Sequence, residues 1–149
     1  MAKKHVLFVD SSFFFPAVSA DGYSDEGQAG RRILAPNKVL QAPLLLPVKA
    51  KMLSITIYYK NTTSDQMQVV ILKKHIDHHA PSGEVEVSID FCPPATLAPD
   101  NFVSKVINHF DAAGVIKDKY LYFIQVINTT RTDATQHRFL RGIRIEYQY

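Results

Sequence analysis

Three histidines and an aspartate fall within five residues of the sequence, at residues 75–79 (HIDHH). If a β-strand continues through this segment, His75, Asp77 and His79 project to one side, because successive side chains alternate between the two faces of a strand. Imidazole and carboxylate groups presented together are ligands for a divalent metal such as zinc or nickel. The spacing predicts a metal site at these three residues. The alternative is a solvated strand end, polar because it is exposed before a proline turn.

Oxygen ligands form a second group, at Asp21, Asp25 and Glu26, with Gly22 and Gly27 beside them. Hard oxygen ligands on a chain that turns tightly are what calcium requires. The spacing differs from that of an EF-hand loop, so a solvated acidic loop is the competing interpretation.

The sequence contains no motif for catalysis. A nucleophilic serine or cysteine needs a neighbouring histidine and an orienting acid. The single cysteine, Cys92, precedes two prolines and is remote in sequence from His109 and His137. Neither a Gly-x-Ser-x-Gly elbow nor a glycine-rich phosphate loop is present. We therefore expect no enzyme, no catalytic residue and no cofactor.

Tyrosines offer a different chemistry, since sugars are bound by flat apolar rings that lie next to polar groups. Five tyrosines lie on or near predicted strands and could form a platform on an exposed face: Tyr58, Tyr120, Tyr122, Tyr147 and Tyr149. The alternative is that they fill the core or an interface. The absence of tryptophan from the sequence weakens the carbohydrate-binding interpretation.

Alternating hydrophobicity predicts the strands that would position these residues. Residues 44–60 place Leu53, Ile55, Ile57 and Tyr59 on one side. A polar turn and a strand over residues 66–74 follow, which predicts an antiparallel hairpin. Residues 99–110 fit either a helix or a strand, and the neighbouring strands favour a strand. The other predicted strands cover residues 5–9, 84–91, 120–127 and 138–149.

The number and spacing of these strands predict the fold class. Short strands separated by proline, glycine and asparagine turns indicate an all-β protein, an antiparallel β-sandwich of jelly-roll type with a long irregular N-terminal segment. A chain of 149 residues that is 46% hydrophobic fits one globular domain. Within it, residues 1–43 are expected to form an N-terminal strand and an extended arm or loop packed on the sandwich. Residues 44–149 are expected to form the sandwich core.

Four segments of the sequence carry a resemblance to known proteins: residues 45–48 (LLPV), 54–59 (SITIYY), 120–122 (YLY) and 142–147 (GIRIEY). Together they resemble small β-sandwich proteins of bacteria and their phages that have no assigned activity. Such sandwiches are similar in outline to the trimeric jelly rolls of fibres, caps and capsids. The resemblance implies a structural role and supplies no catalytic residue.

Apolar residues outside a single core face indicate assembly. Phe13, Phe14 and Phe15 cannot all face one way in an extended chain, and the strand over residues 66–74 is apolar on both sides. We therefore predict a non-enzymatic structural protein, a protomer of a homo-oligomer and most simply a trimer. The interface residues are predicted to be Phe13, Phe14, Phe15, Val70 and Leu72.

Two other functions stay open at this point. The first is a binding module for a carbohydrate or for another protein. Its site would lie where the loops over residues 61–65 and 128–133 and the turn over residues 75–79 converge at one end of the sandwich. The second is a metal-binding protein that uses residues 75–79.

Charge and hydropathy limit the partners. The net charge is +3, and the basic residues are dispersed along the chain, so no nucleic acid is expected. Asp10 interrupts the first apolar run before it could form a signal peptide, and no run of eighteen apolar residues occurs, so no membrane insertion is expected. We expect synthesis in the cytoplasm. The final compartment, including a place in a larger assembly, is left open.

Overall fold

A computed structural model describes residues 2–17, 23–25, 31–33, 39–61, 67–76, 84–85, 90–92, 103–108, 110, 114–128 and 138–149 of the chain. Regular structure within these ranges is β-strand, apart from a 3-10 turn at Ser11–Phe13. The strands are β1 (Lys4–Asp10), β2 (Phe15–Pro16), β3 (Tyr23–Asp25), β4 (Arg31–Ile33), β5 (Val39–Leu44), β6 (Lys51–Asn61), β7 (Met67–His75), β8 (Glu84–Val85), β9 (Asp90–Cys92), β10 (Val103–Ile107), β11 (Tyr120–Asn128) and β12 (Arg138–Gln148).

In the part of the chain that the structure describes, these strands form two antiparallel sheets. Sheet 1 has the order β10-β6-β12-β4-β3, and β1 also pairs with β12. Sheet 2 has the order β2-β5-β11-β7-β8, and β9 also pairs with β7. Residues from the facing sides of both sheets form one hydrophobic core. The predicted all-β antiparallel sandwich is confirmed.

The long strands β6 and β12 show how alternation builds the core. Ile55 and Ile57 of β6 lie opposite Ile145 and Ile143 of β12, and all four side chains are buried. The pairing register of β6 with β12 shifts near the start of β6. As a result Met52 is buried, whereas the alternation predicts that Leu53 is buried. A β-bulge inserts one residue into a strand and reverses the side that later residues face.

The predicted hairpin between residues 44–60 and 66–74 is wrong. β6 pairs with β10 and β12 in sheet 1, whereas β7 pairs with β11 in sheet 2. The chain therefore crosses from one sheet to the other between these strands. Each strand has a strongly apolar face, and placing the two faces across the core from each other buries both.

Four other strand predictions are tested by the pairings. β10 confirms a strand, not a helix, within residues 99–110. β11 lies between β5 and β7, as its continuous hydrophobicity predicts, and β1 pairs with the C-terminal strand. The predicted strand over residues 84–91 is represented by two short strands, β8 and β9, which both pair with β7. Residues 86–89 lie outside the described part.

The N-terminal segment contributes strands to both sheets, because β1 and β4 pair with β12 while β2 pairs with β5. Arg31 of β4 is buried, and its guanidinium lies 4.6 Å from the Phe15 ring centroid and 4.5 Å from that of Tyr23. Arg31 also donates a hydrogen bond to the backbone oxygen of Phe14. Cation–π contacts of a buried arginine hold the short strands together. The division into residues 1–43 and 44–149 stays a prediction.

No helix among the described residues is long and apolar enough to cross a membrane.

Candidate functional site

A cleft of about 340 Å³ lies on the outer face of sheet 1. Asp10 of β1 lies opposite Gly142 of β12, and Gly142 lies opposite Tyr58 of β6, so the three residues form a row across the sheet. Cavities that hold small ligands commonly measure about 300–1,000 Å³. The residues that line the cleft are Phe8, Val9, Asp10, Tyr58, Arg141, Gly142 and Ile143.

Gly142 determines the shape of this cleft. A Cβ atom at this position would lie 2.8 Å from the backbone oxygen of Val9. That separation is too short for a real contact, so the close approach of β1 to β12 requires glycine here. The register between β12 and β6 shifts between Leu140 and Gly142. Arg141, at the shift, is exposed and lines the cleft.

Two aromatic side chains stand on either side of β12. Phe8 belongs to β1 and is 68% exposed, and Tyr58 belongs to β6 and is 36% exposed. Asp10 and Arg141 add a carboxylate and a guanidinium to the same lining. The cleft therefore offers apolar ring surface next to both hydrogen-bond acceptors and donors. Such a lining suits a neutral ligand that has apolar faces and polar edges.

Asp10 is held in its charged form by local hydrogen bonds. Its Oδ1 atom accepts a hydrogen bond of 2.8 Å from the backbone nitrogen of Ser12, at the start of the 3-10 turn. Hydrogen bonds from Ser12, and then the positive charge of Arg31, keep the pKa of Asp10 below its ordinary value of 3.8. The cleft thus contains a carboxylate that accepts hydrogen bonds at neutral pH.

The lowered pKa of Asp10 predicts a pH effect on stability. A carboxylate with a lower pKa in the folded chain contributes stability above its unfolded pKa and loses it as the pH falls through the folded pKa. Asparagine still caps the turn but carries no charge. Between pH 6 and pH 2, we expect the melting temperature of Asp10→Asn to fall less than that of the wild type. If the melting temperatures of the two proteins fall equally between pH 6 and pH 2, the lowered pKa of Asp10 is contradicted.

Polar side chains continue along the outer face of sheet 1. Arg144 Nη1 forms an ion pair of 2.5 Å with Glu146 Oε1, and Ser54 Oγ donates a hydrogen bond of 3.3 Å to Glu146 Oε2. The Arg144 contact is the main reason that the pKa of Glu146 lies below its usual range. Phe8 lies opposite Arg144 in the pairing of β1 with β12, so this polar strip borders the cleft.

The two predicted metal sites fall largely beyond the described residues. His75 ends β7, but Asp77 and His79 lie outside the described part, so the metal site stays a prediction. Asp25 ends β3, and the other members of the acidic group also lie outside. Among the residues that the structure does describe, no group of three or more His, Cys, Asp or Glu could hold a metal ion.

The five tyrosines do not form one platform. Tyr58 and Tyr149 are exposed, whereas Tyr122 is buried in the core, where its hydroxyl accepts a hydrogen bond of 3.0 Å from the backbone nitrogen of Lys117. Tyr147 stacks on the His5 ring at 5.3 Å. Tyr120 is half-buried and packs against the core. Of the five, Tyr58 alone lines the cleft of sheet 1.

The strand ends that flank the three predicted binding loops lie at two opposite ends of the sandwich. β7 runs antiparallel to β11, with Met67 opposite Asn128 and His75 opposite Tyr120. The loop that precedes β7 and the loop that follows β11 therefore share one end of the sandwich, while the turn after His75 leaves from the other end. Because a β-strand rises about 3.3 Å per residue, the two ends of β7 are about 26 Å apart. The loops lie mostly outside the described residues, so a binding site formed by them stays a prediction.

The predicted interface residues occupy different environments. Phe13 is 61% exposed and Phe15 is also exposed, while Phe14 between them is 0% exposed and packs in the core of its own chain. Val70 is buried, and Leu72 is half-buried. The role of these residues in an interface stays a prediction.

Sequence reasoning missed most of the cleft. Phe8, Asp10 and Arg141 lie in segments where the sequence predicts only strands or the end of an apolar run. The available signal was Gly142, since a glycine inside an alternating strand marks a bulge or a close backbone approach.

Comparisons with known proteins bear on the fold. No family model matches the chain, and no curated protein matches it in sequence. The xylan-binding module CBM15 matches with a TM-score of 0.61 at 9% identity, over 97% of both chains. The module CBM36 in complex with calcium and xylotriose matches with a TM-score of 0.56 at 10% identity, over 93% of this chain and 98% of that one. In fold, the chain is similar to carbohydrate-binding modules.

A family 35 carbohydrate-binding module from Clostridium thermocellum gives the same result, with a TM-score of 0.57 at 11% identity, over 93% of this chain and 97% of that one. The predicted sandwich of jelly-roll type is confirmed. The predicted resemblance to bacterial and phage proteins is supported only as far as the β-sandwich. At identities of 9–11% the similarity concerns the fold alone, and neither an oligomer nor a trimer is shown.

Proposed function

We propose that the protein is a non-catalytic carbohydrate-binding module and that the cleft on the outer face of sheet 1 holds the sugar. The observation that carries this proposal is the pair of exposed rings, Phe8 and Tyr58, beside the charged groups of Asp10 and Arg141. A pyranose or furanose ring has apolar C–H faces and hydroxyl groups at its edges. The cleft matches both features.

Five of the seven lining residues have a role in this proposal. Phe8 and Tyr58 contact the apolar faces of sugar rings from the two sides of β12. The Asp10 carboxylate accepts hydrogen bonds from hydroxyl groups, and the Arg141 guanidinium donates them to hydroxyl or ring oxygens. Gly142 allows β1, which carries Phe8 and Asp10, to lie close against β12. The volume of about 340 Å³ fits a short segment of a polysaccharide chain.

Xylan is the ligand to test first. Two of the matched structures are described as a xylan-binding module and as a module in complex with xylotriose. Affinity electrophoresis in gels that contain xylan, mannan, laminarin or dextran compares four classes of polysaccharide. Calorimetry with the matching oligosaccharide then measures the affinity. We expect retardation by at least one polysaccharide and a dissociation constant of about 1 mM or lower, which corresponds to about 4 kcal/mol. Unchanged mobility in all four gels would contradict the proposal.

The structural homo-oligomer is the second candidate function, and the exposure of Phe13 and Phe15 favours it. Light scattering on the untagged protein tests it, since a stable trimer supports this candidate and a monomer removes it. The metal-binding function through His75, Asp77 and His79 also stays a proposal. Elemental analysis of untagged protein that finds no zinc or nickel would end it.

A further inference from the structure

One edge of sheet 1, formed by β1, has no partner strand among the described residues. Among the described residues, β1 pairs only with β12. Reciprocal backbone hydrogen bonds of 3.1 Å join Lys3 to Tyr149. Hydrogen-bonded and non-hydrogen-bonded pairs alternate along an antiparallel ladder, so His5, Leu7 and Val9 bond to β12. The even-numbered residues of β1 therefore direct their backbone N–H and C=O groups toward the other edge.

Two of these even-numbered residues, Val6 and Phe8, carry apolar side chains on the outer face. Val6 is 45% exposed, and Phe8 is more exposed still. An apolar groove of about 150 Å³ lies against β1, and its lining includes Phe13, Pro43 and the highly exposed Leu45. An exposed apolar edge strand with unpaired backbone groups is a template for the addition of another strand.

We propose that β1 of one copy of the protein pairs antiparallel with β1 of a second copy, in a register centred on Leu7. In this register Lys4 lies opposite the partner's Asp10, and the same pair recurs on the other side of the two-fold axis. Val6 lies opposite the partner's Phe8. Opposite charges and apolar side chains that face each other directly stabilise an antiparallel pair.

Charge selects this register over its neighbours. A register shifted by two residues in one direction places Lys4 opposite the partner's Phe8, and Asp10 then has no opposite residue on the partner's β1. A register shifted by two residues in the other direction places Val6 opposite the partner's Asp10, and Lys4 then has no opposite residue there. Only the register centred on Leu7 matches both charges, and it also pairs every edge-facing backbone group of Lys4, Val6, Phe8 and Asp10.

Pairing of this kind joins the two copies of sheet 1 into one continuous sheet. The Phe8 side chains of the two copies become diagonal neighbours, about 7–8 Å apart. The effect on binding rests on the proposed function: if each cleft binds sugar, one polysaccharide chain contacts two clefts on a single face. Binding of the second cleft is then intramolecular and raises the avidity.

Sedimentation velocity over a range of concentrations tests the pairing. The wild type is expected to approach twice the chain mass of 16.8 kDa. Val6→Lys puts a charge into the apolar pairing while placing it opposite Glu146 within its own chain. Val6→Pro removes an N–H group at the free edge without removing a bond to β12. Each variant is expected to raise the dimer dissociation constant at least tenfold, by about 1.4 kcal/mol or more.

Val106→Lys is the matched control, because Val106 is 51% exposed on the same outer face but belongs to β10, at the opposite edge of sheet 1. It is expected to leave the dimer intact, and melting curves check that every variant folds. The proposal is overturned by a single-chain mass up to about 1 mM, where even a weak dimer forms. A stable trimer, or equal dissociation by Val106→Lys and Val6→Lys, also overturns it. A monomeric Val6→Lys that still binds an oligosaccharide would separate this result from the proposed function.

Discussion

Replacement of Phe14 by alanine is expected to lower the free energy of unfolding by about 3–5 kcal/mol, the usual cost of truncating a buried phenylalanine. The Phe14 ring is fully buried in the core, and its backbone oxygen accepts a hydrogen bond from the buried Arg31. The truncation leaves a cavity at the point where the N-terminal segment joins the sandwich. Urea denaturation followed by fluorescence or circular dichroism measures the change.

Phe13→Ala is the matched control, since it removes the same side chain one position earlier, where the ring is exposed. Its effect is expected to stay within about 0.5 kcal/mol, as for most surface substitutions. Equal and small effects at Phe13 and Phe14 would mean that the N-terminal segment does not belong to the core. Deletion of residues 1–35 would not distinguish an arm from a part of the core, because it removes β1, β4 and Phe14 together.

Tyr58→Ala is expected to weaken binding of the glycan identified by electrophoresis by roughly 30-fold, or about 2 kcal/mol, the loss typical of an aromatic residue that dominates a binding site. Tyr58 lies at the cleft rim on β6, away from the β1 edge, so the substitution leaves self-association unchanged. Isothermal titration calorimetry with the wild type and the variant measures the ratio of affinities.

Two controls accompany the Tyr58 variant. Tyr149→Ala removes an exposed tyrosine that does not line the cleft, and its affinity is expected to equal that of the wild type. Tyr58→Phe keeps the ring and removes the hydroxyl, so its loss is expected to be smaller than that of Tyr58→Ala. The same affinity for Tyr58→Ala and Tyr149→Ala would show that the sugar binds elsewhere.

The fold could be predicted because the pattern of apolar and polar residues along a β-strand reflects which of its faces are buried. Ile55 and Ile57 alternate with polar residues, and residues 120–127 are apolar almost throughout because β11 lies inside sheet 2. The bulge near Leu53 could not be predicted, since an inserted residue changes the alternation without a distinctive residue type. The false hairpin has a related cause. Local spacing indicates which segments are strands, but global burial decides which strands pair.

The candidate site was less accessible to prediction. Phe8, Tyr58 and Gly142 are far apart in sequence, and only the registers of β1 and β6 on β12 bring them together. A contiguous group such as residues 75–79 can be recognised as a candidate metal site from the sequence alone, because its ligands are neighbours in the chain. Besides Tyr58, which the sequence marks as a possible sugar-binding tyrosine, Gly142 is the signal of the cleft in the sequence, and its meaning depends on the approach of Val9.

A nitrogen-15 NMR titration with the bound oligosaccharide shows where sugar binds on the protein. If sugar binds on the outer face of sheet 1, the largest amide shift changes are expected at residues 8–10, Tyr58 and residues 141–143, which line the cleft. Changes confined to the ends of the sandwich, around Asn61 and Asn128, would place the site in the loops and exclude the cleft as the binding site.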